Sequence, residues 1–191
     1  MNASAAKVVI ISGPSGAGKS TVVARLLAAC PVPLRLSVSA TTRAPRPGER
    51  DGVHYHFLAR DEFQRRRQRG EFLECKEVFG CGDWYGTLRS EVATGQAEGK
   101  WVLLEIDVQG AMSVLEEIPD AVTIFLHPGS LEELAQRLTR RGTESSQSLA
   151  RRLDVARAEM DCVRAYQYEV VNDTVDRAVQ EICGILQRCG E

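Results

Sequence analysis

Short unbroken apolar runs alternate along the chain with longer stretches in which apolar residues recur every three or four positions. Residues 7–12 (KVVIIS), 101–107 (WVLLEID) and 122–127 (VTIFLH) are of the first kind, and residues 168–173 (YEVVND) read as a last strand. Runs this short and this rich in β-branched residues predict strands buried on both faces. Residues 20–30, 88–100, 130–142, 146–163 and 174–189 are of the second kind and predict helices. Val23, Leu26 and Leu27 share one face of the first helix. Leu131, Leu134 and Leu138 share a face of the third, behind a Ser130–Glu133 capping box. Strand and helix signals alternating from end to end predict an α/β domain whose mainly parallel sheet is flanked by helices.

The rhythm breaks in the middle, roughly residues 35 to 90. Residues 34–39, 53–57 and 71–87 read as short strands, with turn chemistry at Pro45, Pro47, Gly48 and Gly52. One helix is predicted among them, with Asp61 as its N-cap and Gly70 as its stop. A small inserted subdomain is the expectation.

Composition narrows the class. At 191 residues the chain suits one domain, and 43% hydrophobic residues suffice for a sizeable core. A net charge of −2 argues against a general nucleic-acid binder. No segment approaches the ~20 apolar residues of a membrane span. The stretch MNASAAKVVII lacks the charged start and long apolar run of a secretory signal, so a cytoplasmic location is expected. The six cysteines include no C-x-x-C pair, and their spacing with His54 or His56 fits no common zinc pattern. Nothing in the pattern sets an oligomeric state.

The chemistry begins at residues 13–20, GPSGAGKS, a match to G-x-x-x-x-G-K-[ST] between a predicted strand and a predicted helix. Glycines at this spacing let consecutive N–H groups turn inward on phosphate oxygens, and the helix adds its positive end. Gly13, Ser15, Gly16, Ala17, Gly18, Lys19, Ser20 and Thr21 are therefore the expected ATP-binding segment. Lys19 would reach the β- and γ-phosphates, and the Ser20 hydroxyl would ligate Mg2+. Glu105 and Asp107, ending the apolar run 101–107, are candidate partner acids for the ion, directly or through water. A GTPase would carry an N-K-x-D segment after a strand; the sequence holds none, and its four lysines are Lys7, Lys19, Lys76 and Lys100. A small kinase needs a second anion site, and Arg43 and Arg46 can clamp a phosphate through their guanidinium forks. Ser39, Tyr55 and Tyr85 can add hydroxyl donors.

The segments GPSGAGKST, SVSATTRAPRPGE, WYGT, LEIDVQG, RLTRRGTES and VVND, in this order, resemble the guanylate kinase family over about residues 7–186. The resemblance implies a P-loop NTPase core (residues 1–34, 93–129 and 165–191), a GMP-binding subdomain (35–92) and a helical lid (130–164). It implies transfer of the γ-phosphoryl group of MgATP to GMP, with ATP and GMP as small-molecule substrates and neither nucleic acid nor membrane as a partner. Arg43, Arg46, Tyr55 and Tyr85 would hold the GMP phosphate. Glu74, with Ser39 and Thr87, would read guanine, because a carboxylate accepts from N1–H and the 2-amino group and adenine offers neither. Glu105 and Asp107 would border the GMP site, with Asp107 joining Ser20 at the metal. Arg137, Arg141 and Arg152 would approach the ATP phosphates, and Asn172 the adenine. Lys19, Arg43, Arg137, Arg141 and Arg152 are the expected catalytic residues. Glu49 either orients an arginine or caps a turn. The chain departs from the family pattern at Cys75, where an aromatic is usual, at Glu105, where Asp is usual, and in a turn at residues 80–83 that is two residues longer. Two other readings compete: a guanylate-kinase-like module that binds phosphopeptides without catalysis, and a P-loop kinase of another phosphorylated small molecule. Lys19, Ser20 and the lid arginines favour an enzyme, and Glu74 with the TTRxPRxGE run favours GMP.

Overall fold

The computed structural model describes residues 6–78, 82–140 and 146–191, with the side chains of Val78, Arg140 and residues 146–152 left out of the description. Five strands form one parallel sheet: β1 (Val8–Ser12), β2 (Leu34–Leu36), β7 (Trp101–Glu105), β8 (Val122–His127) and β9 (Tyr168–Val171), in the order β2-β7-β1-β8-β9. The continuous apolar runs bury both faces of β1, β7 and β8, whereas β2 and β9 at the sheet edges are only partly buried. Val9, Ile11, Leu103, Ile124 and Leu126 face a cluster built from helices α1 (Lys19–Ala29) and α7 (Val175–Gly190), through Val22, Leu26, Ile182 and Leu186. Val8, Ile10, Val102, Leu104 and Phe125 face the opposite layer, where α3 (Arg89–Ala97) and α4 (Val108–Glu117) contribute Val92, Ala111 and Val114. The result is the expected α/β architecture with a parallel sheet between helical layers.

Between β2 and α3 the chain builds a second sheet from β3 (Ala40–Thr41), β4 (His56–Phe57), β5 (Phe72–Val78) and β6 (Asp83–Leu88), in the order β4-β3-β6-β5. Its own small core stacks Phe63 of α2 (Arg60–Gln68) on Phe72, with ring centroids 4.5 Å apart. Three local expectations are corrected. Asp61 is not the N-cap of α2: Ala59 holds that position and Asp61 and Glu62 sit in the first turn, where they complement the helix dipole. Residues 34–39 do not form one strand. The pairing with β7 ends at Leu36, Ser37 donates to the Leu103 carbonyl, and the chain departs for the second sheet. Residues 53–57 are strand only at His56 and Phe57, because Val53 and His54 donate back to the Arg50 carbonyl in a turn. Gly70, at φ 69°, closes α2 as expected. Helices α5 (Leu131–Arg140) and α6 (Ser146–Asp161) pack against each other through Leu134, Leu138 and Ala156. At the start of α5 the Glu133 amide donates to Ser130 Oγ at 3.1 Å, one half of the expected capping box.

Candidate functional site

The loop after β1 is held at positive φ at Gly13, Gly16 and Gly18, a shape that favours glycine. Gly13 has φ 139°, and a Cβ there would lie 2.0 Å from the Leu126 carbonyl oxygen. Gly18 has φ 87°, and a Cβ there would lie 2.6 Å from Asn172 Nδ2. Asn172, at the end of β9, is buried and donates from Nδ2 to the Ala17 carbonyl at 2.7 Å. It therefore braces the loop from the end of β9. Arg137 of α5 docks on the same corner, donating to the Asn172 carbonyl at 2.8 Å and to Glu133 at 2.5 Å. Arg141 falls outside the described residues, as does the side chain of Arg152.

Lys19 donates to the Gly13 and Pro14 carbonyls at 2.6 and 3.1 Å. Ser20 Oγ donates to Glu105 Oε1 at 2.5 Å. Ser15, Gly16, Gly18, Lys19, Ser20, Thr21 and Glu105 together line a small cavity of about 180 Å³. The sequence favoured Asp107 as the acid beside Ser20. Asp107 instead caps α4 by accepting from the Gly110 amide at 2.9 Å, and its carboxylate pairs with the Lys76 ammonium. The longer glutamate at position 105 reaches the serine.

A cavity of about 370 Å³ opens between the two sheets. At one end lies an arginine clamp. Arg43 donates to both oxygens of Glu49, at 2.9 and 3.0 Å, and to the Tyr85 hydroxyl at 3.1 Å. Its guanidinium carbon also lies 5.4 Å from the centre of the Tyr55 ring, which packs edge-on against Tyr85. Glu49 further accepts from the Arg46 amide at 2.7 Å. It therefore both orients the arginine and caps the turn, so the two alternatives left open by the sequence hold together. The Arg43 guanidinium holds the Glu49 carboxyl well below its ordinary value, at about 2, and burial pushes the Tyr55 hydroxyl up. Arg46 and Ser39 complete this end.

At the other end, Thr87 Oγ1 donates to Glu74 Oε1 at 2.7 Å. Burial raises the Glu74 pKa above its ordinary value, with Asp107 adding to the rise and the Thr87 hydrogen bond opposing it. Strand pairing sets this geometry. In β5 and β6, Glu74 lies opposite Thr87, Cys75 opposite Gly86 and Lys76 opposite Tyr85. That register puts Thr87 against Glu74 and Tyr85 on the wall of the cavity. Gly86, Ile106 and Lys76 also line it, and Glu159 of α6 borders the neighbouring loop cavity. Sequence reasoning passed over all four. Gly86 could have been found within the WYGT segment, and Lys76 as one of only four lysines.

Known proteins match the chain over nearly its whole length. The guanylate kinase family model covers residues 5–189. The chain belongs to the guanylate kinase family. It is 63% identical over 182 residues to a guanylate kinase of Rhodopirellula baltica, covering 94% of this chain and 87% of that one. It is 50% identical over 179 residues to one of Clostridium perfringens, covering 94% and 82%. A solved guanylate kinase from Anaplasma phagocytophilum superposes with a TM-score of 0.79 at 34% identity, over 98% of this chain and 87% of that one. The acceptor cavity and the small loop cavity share two lining residues, Ser15 of the loop after β1 and Glu105 at the carboxyl end of β7.

Proposed function

We propose that this chain catalyses ATP-dependent phosphorylation of GMP, giving GDP and ADP. The observation that carries the reading is the acceptor cavity, with a buried carboxylate at one end and an arginine–tyrosine clamp at the other, opening toward the phosphate loop. Glu74 suits guanine because an ionised carboxylate accepts from N1–H and the 2-amino group, whereas AMP would leave it buried without donors. Arg43, Arg46, Tyr55 and Tyr85 hold the acceptor phosphate, and Glu49 keeps Arg43 aimed. Loop amides and Lys19 hold the ATP phosphates, and Arg137, Arg141 and Arg152 add positive charge over the transferring group.

Magnesium fits the oxygen donors of the loop cavity. The Ser20 hydroxyl and the Glu105 carboxylate are hard ligands already within hydrogen-bond distance of each other. These two are the proposed holders, in place of the Ser20–Asp107 pair. Bound there, the ion would offset charge on the ATP phosphates. No general base is required, because the acceptor phosphate is already anionic. Holding two nucleotides in line and excluding water supplies the rest. The second sheet (35–92) is the proposed GMP-binding subdomain, residues 130–164 the lid, and the remainder the core. No described helix is long and apolar enough to cross a membrane, and the cytoplasm is the proposed location.

A coupled assay of ADP release tests the proposal. Turnover with ATP, magnesium and GMP is expected, with far less when AMP, CMP or UMP replaces GMP. Pure, folded protein without GMP-dependent turnover would overturn it.

A further inference from the structure

The loop side of the cleft holds a cavity of about 560 Å³ in addition to the acceptor cavity of about 370 Å³. The two share three lining residues, Ser15, Lys76 and Asp107. Lys19 borders only the first and Arg43 and Arg46 only the second, so among the described lining residues Lys76 is the one cation common to both. Lys76 stands on β5 two residues beyond Glu74, on the same face, and directly opposite Tyr85. Its ammonium pairs with Asp107 and donates to Gln109 Oε1 at 3.2 Å, both on the core side of the cleft. Its charge also acts on Glu74 and on Glu159 of α6.

Carboxylates therefore stand on both sides of Lys76 at the seam between the cavities: Asp107 on the shared wall, Glu74 in the acceptor cavity and Glu159 in the loop-side cavity. A phosphoryl group passing from the loop to the acceptor phosphate crosses this seam carrying negative charge, and carboxylates alone would repel it. A lysine is suited to change partners there, since its charge is compact and its four-carbon stem is flexible. The side chain is 27% exposed, which leaves it room to swing.

We propose that Lys76 is a further catalytic residue: with both nucleotides bound, its ammonium leaves Asp107 for the non-bridging oxygens of the phosphoryl group in transit. The proposal rests on the GMP kinase reading. The bond between the γ-phosphorus and the β-phosphate oxygen breaks, its electron pair staying on ADP, and a bond from γ-phosphorus to the GMP phosphate oxygen forms. Lys76 keeps its protons throughout and contributes charge alone.

The test uses the full chain with Lys76→Met, which keeps the stem and removes the charge, Lys76→Ala as a second uncharged variant, and Lys76→Arg. Three quantities are measured: kcat with both substrates saturating, the Kd of GMP alone, and the Kd of a bisubstrate analogue joining adenosine and guanosine through five phosphates. The uncharged variants are expected to lose roughly 10- to 100-fold in kcat and at least about 10-fold in affinity for the bridged analogue. GMP alone should bind within about twofold of the parent, and Lys76→Arg should recover most of the rate. An unchanged kcat overturns the proposal. So does an equal loss of affinity for GMP and for the bridged analogue, which would mark Lys76 as a strut for Asp107. GMP-dependent ADP release by the parent chain, measured alongside, keeps failure of this inference separate from failure of the activity itself.

Discussion

Arg43 is gripped by Glu49 through two guanidinium nitrogens, at 2.9 and 3.0 Å, on the wall of a cavity and not on open surface. A fork fixed in this way meets an incoming phosphate without first losing side-chain freedom.

Arg43→Ala should therefore raise KM for GMP by about 100-fold, the worth of two charge-assisted hydrogen bonds, and leave KM for ATP within about twofold. Glu49→Gln keeps the shape but weakens the hold, and should raise KM for GMP by about 10-fold. Steady-state kinetics with each substrate varied in turn checks both. Equal losses for ATP and GMP would contradict the clamp assignment.

Glu74 should impose a pH dependence on GMP binding. Its pKa is raised by burial, so it takes up a proton at higher pH than an ordinary glutamate as the solution is acidified. GMP needs the ionised form, so its affinity should fall by about tenfold per pH unit once pH drops below that raised value. Glu74→Gln should abolish this acid limb and erode the preference for GMP over AMP. The consequence for folding has the opposite sign from that of Glu49. A raised carboxyl pKa favours the folded state at low pH and loses that advantage as pH rises through the folded value. The depressed value of Glu49, about 2 against an ordinary 4.5, contributes stability above the ordinary value that is lost as pH falls toward 2. Calorimetric titration of GMP against pH, on parent and variant, separates the ligand effect from the folding effect.

The Ser20–Glu105 contact predicts which carboxylate governs the magnesium requirement. Glu105→Gln should raise the magnesium concentration for half-maximal rate by about tenfold or more, whereas Asp107→Asn should shift it much less. Rate measured against free magnesium at saturating ATP and GMP decides between them. A larger shift for Asp107→Asn would return the metal to the sequence-based assignment.

Asn172→Ala removes the donor to the Ala17 carbonyl from a buried position, at a cost of about 1–3 kcal/mol. The melting temperature should drop, KM for ATP should rise, and KM for GMP should hold. Gly13→Ala should be far more damaging, because its Cβ meets backbone at Leu126 and no rotamer can relieve that clash.

The sequence was most readable where one local rule decides the outcome. Strands buried on both faces stand out as unbroken apolar runs, and β1, β7 and β8 fall where those runs lie. The phosphate loop is legible because its glycines are needed wherever a backbone wraps a phosphate. Legibility fades where a side chain chooses among partners. Glu105 and Asp107 sit two residues apart at one strand end, and only the fold shows that Ser20 takes the first while Gly110 and Lys76 take the second. Asn172 is marked in sequence as a nucleotide-site residue, but its bond to the Ala17 carbonyl, 155 positions earlier in the chain, is visible only once β9 carries it there. The start of α2 was misplaced because an acid in the first helical turn and an acid at the cap look alike in sequence.

The chain leaves the five-stranded sheet after β2 and re-enters it through α3 and β7, and everything that touches the acceptor from β3 to β6 lies within that single excursion. On the proposed reading, choice of acceptor rests chiefly on this one stretch, closed from the core side by Glu105, Ile106 and Asp107, while the donor loop is built from chain that precedes it. A lineage could retool what it phosphorylates by rewriting a contiguous stretch of gene without disturbing the loop that grips the donor.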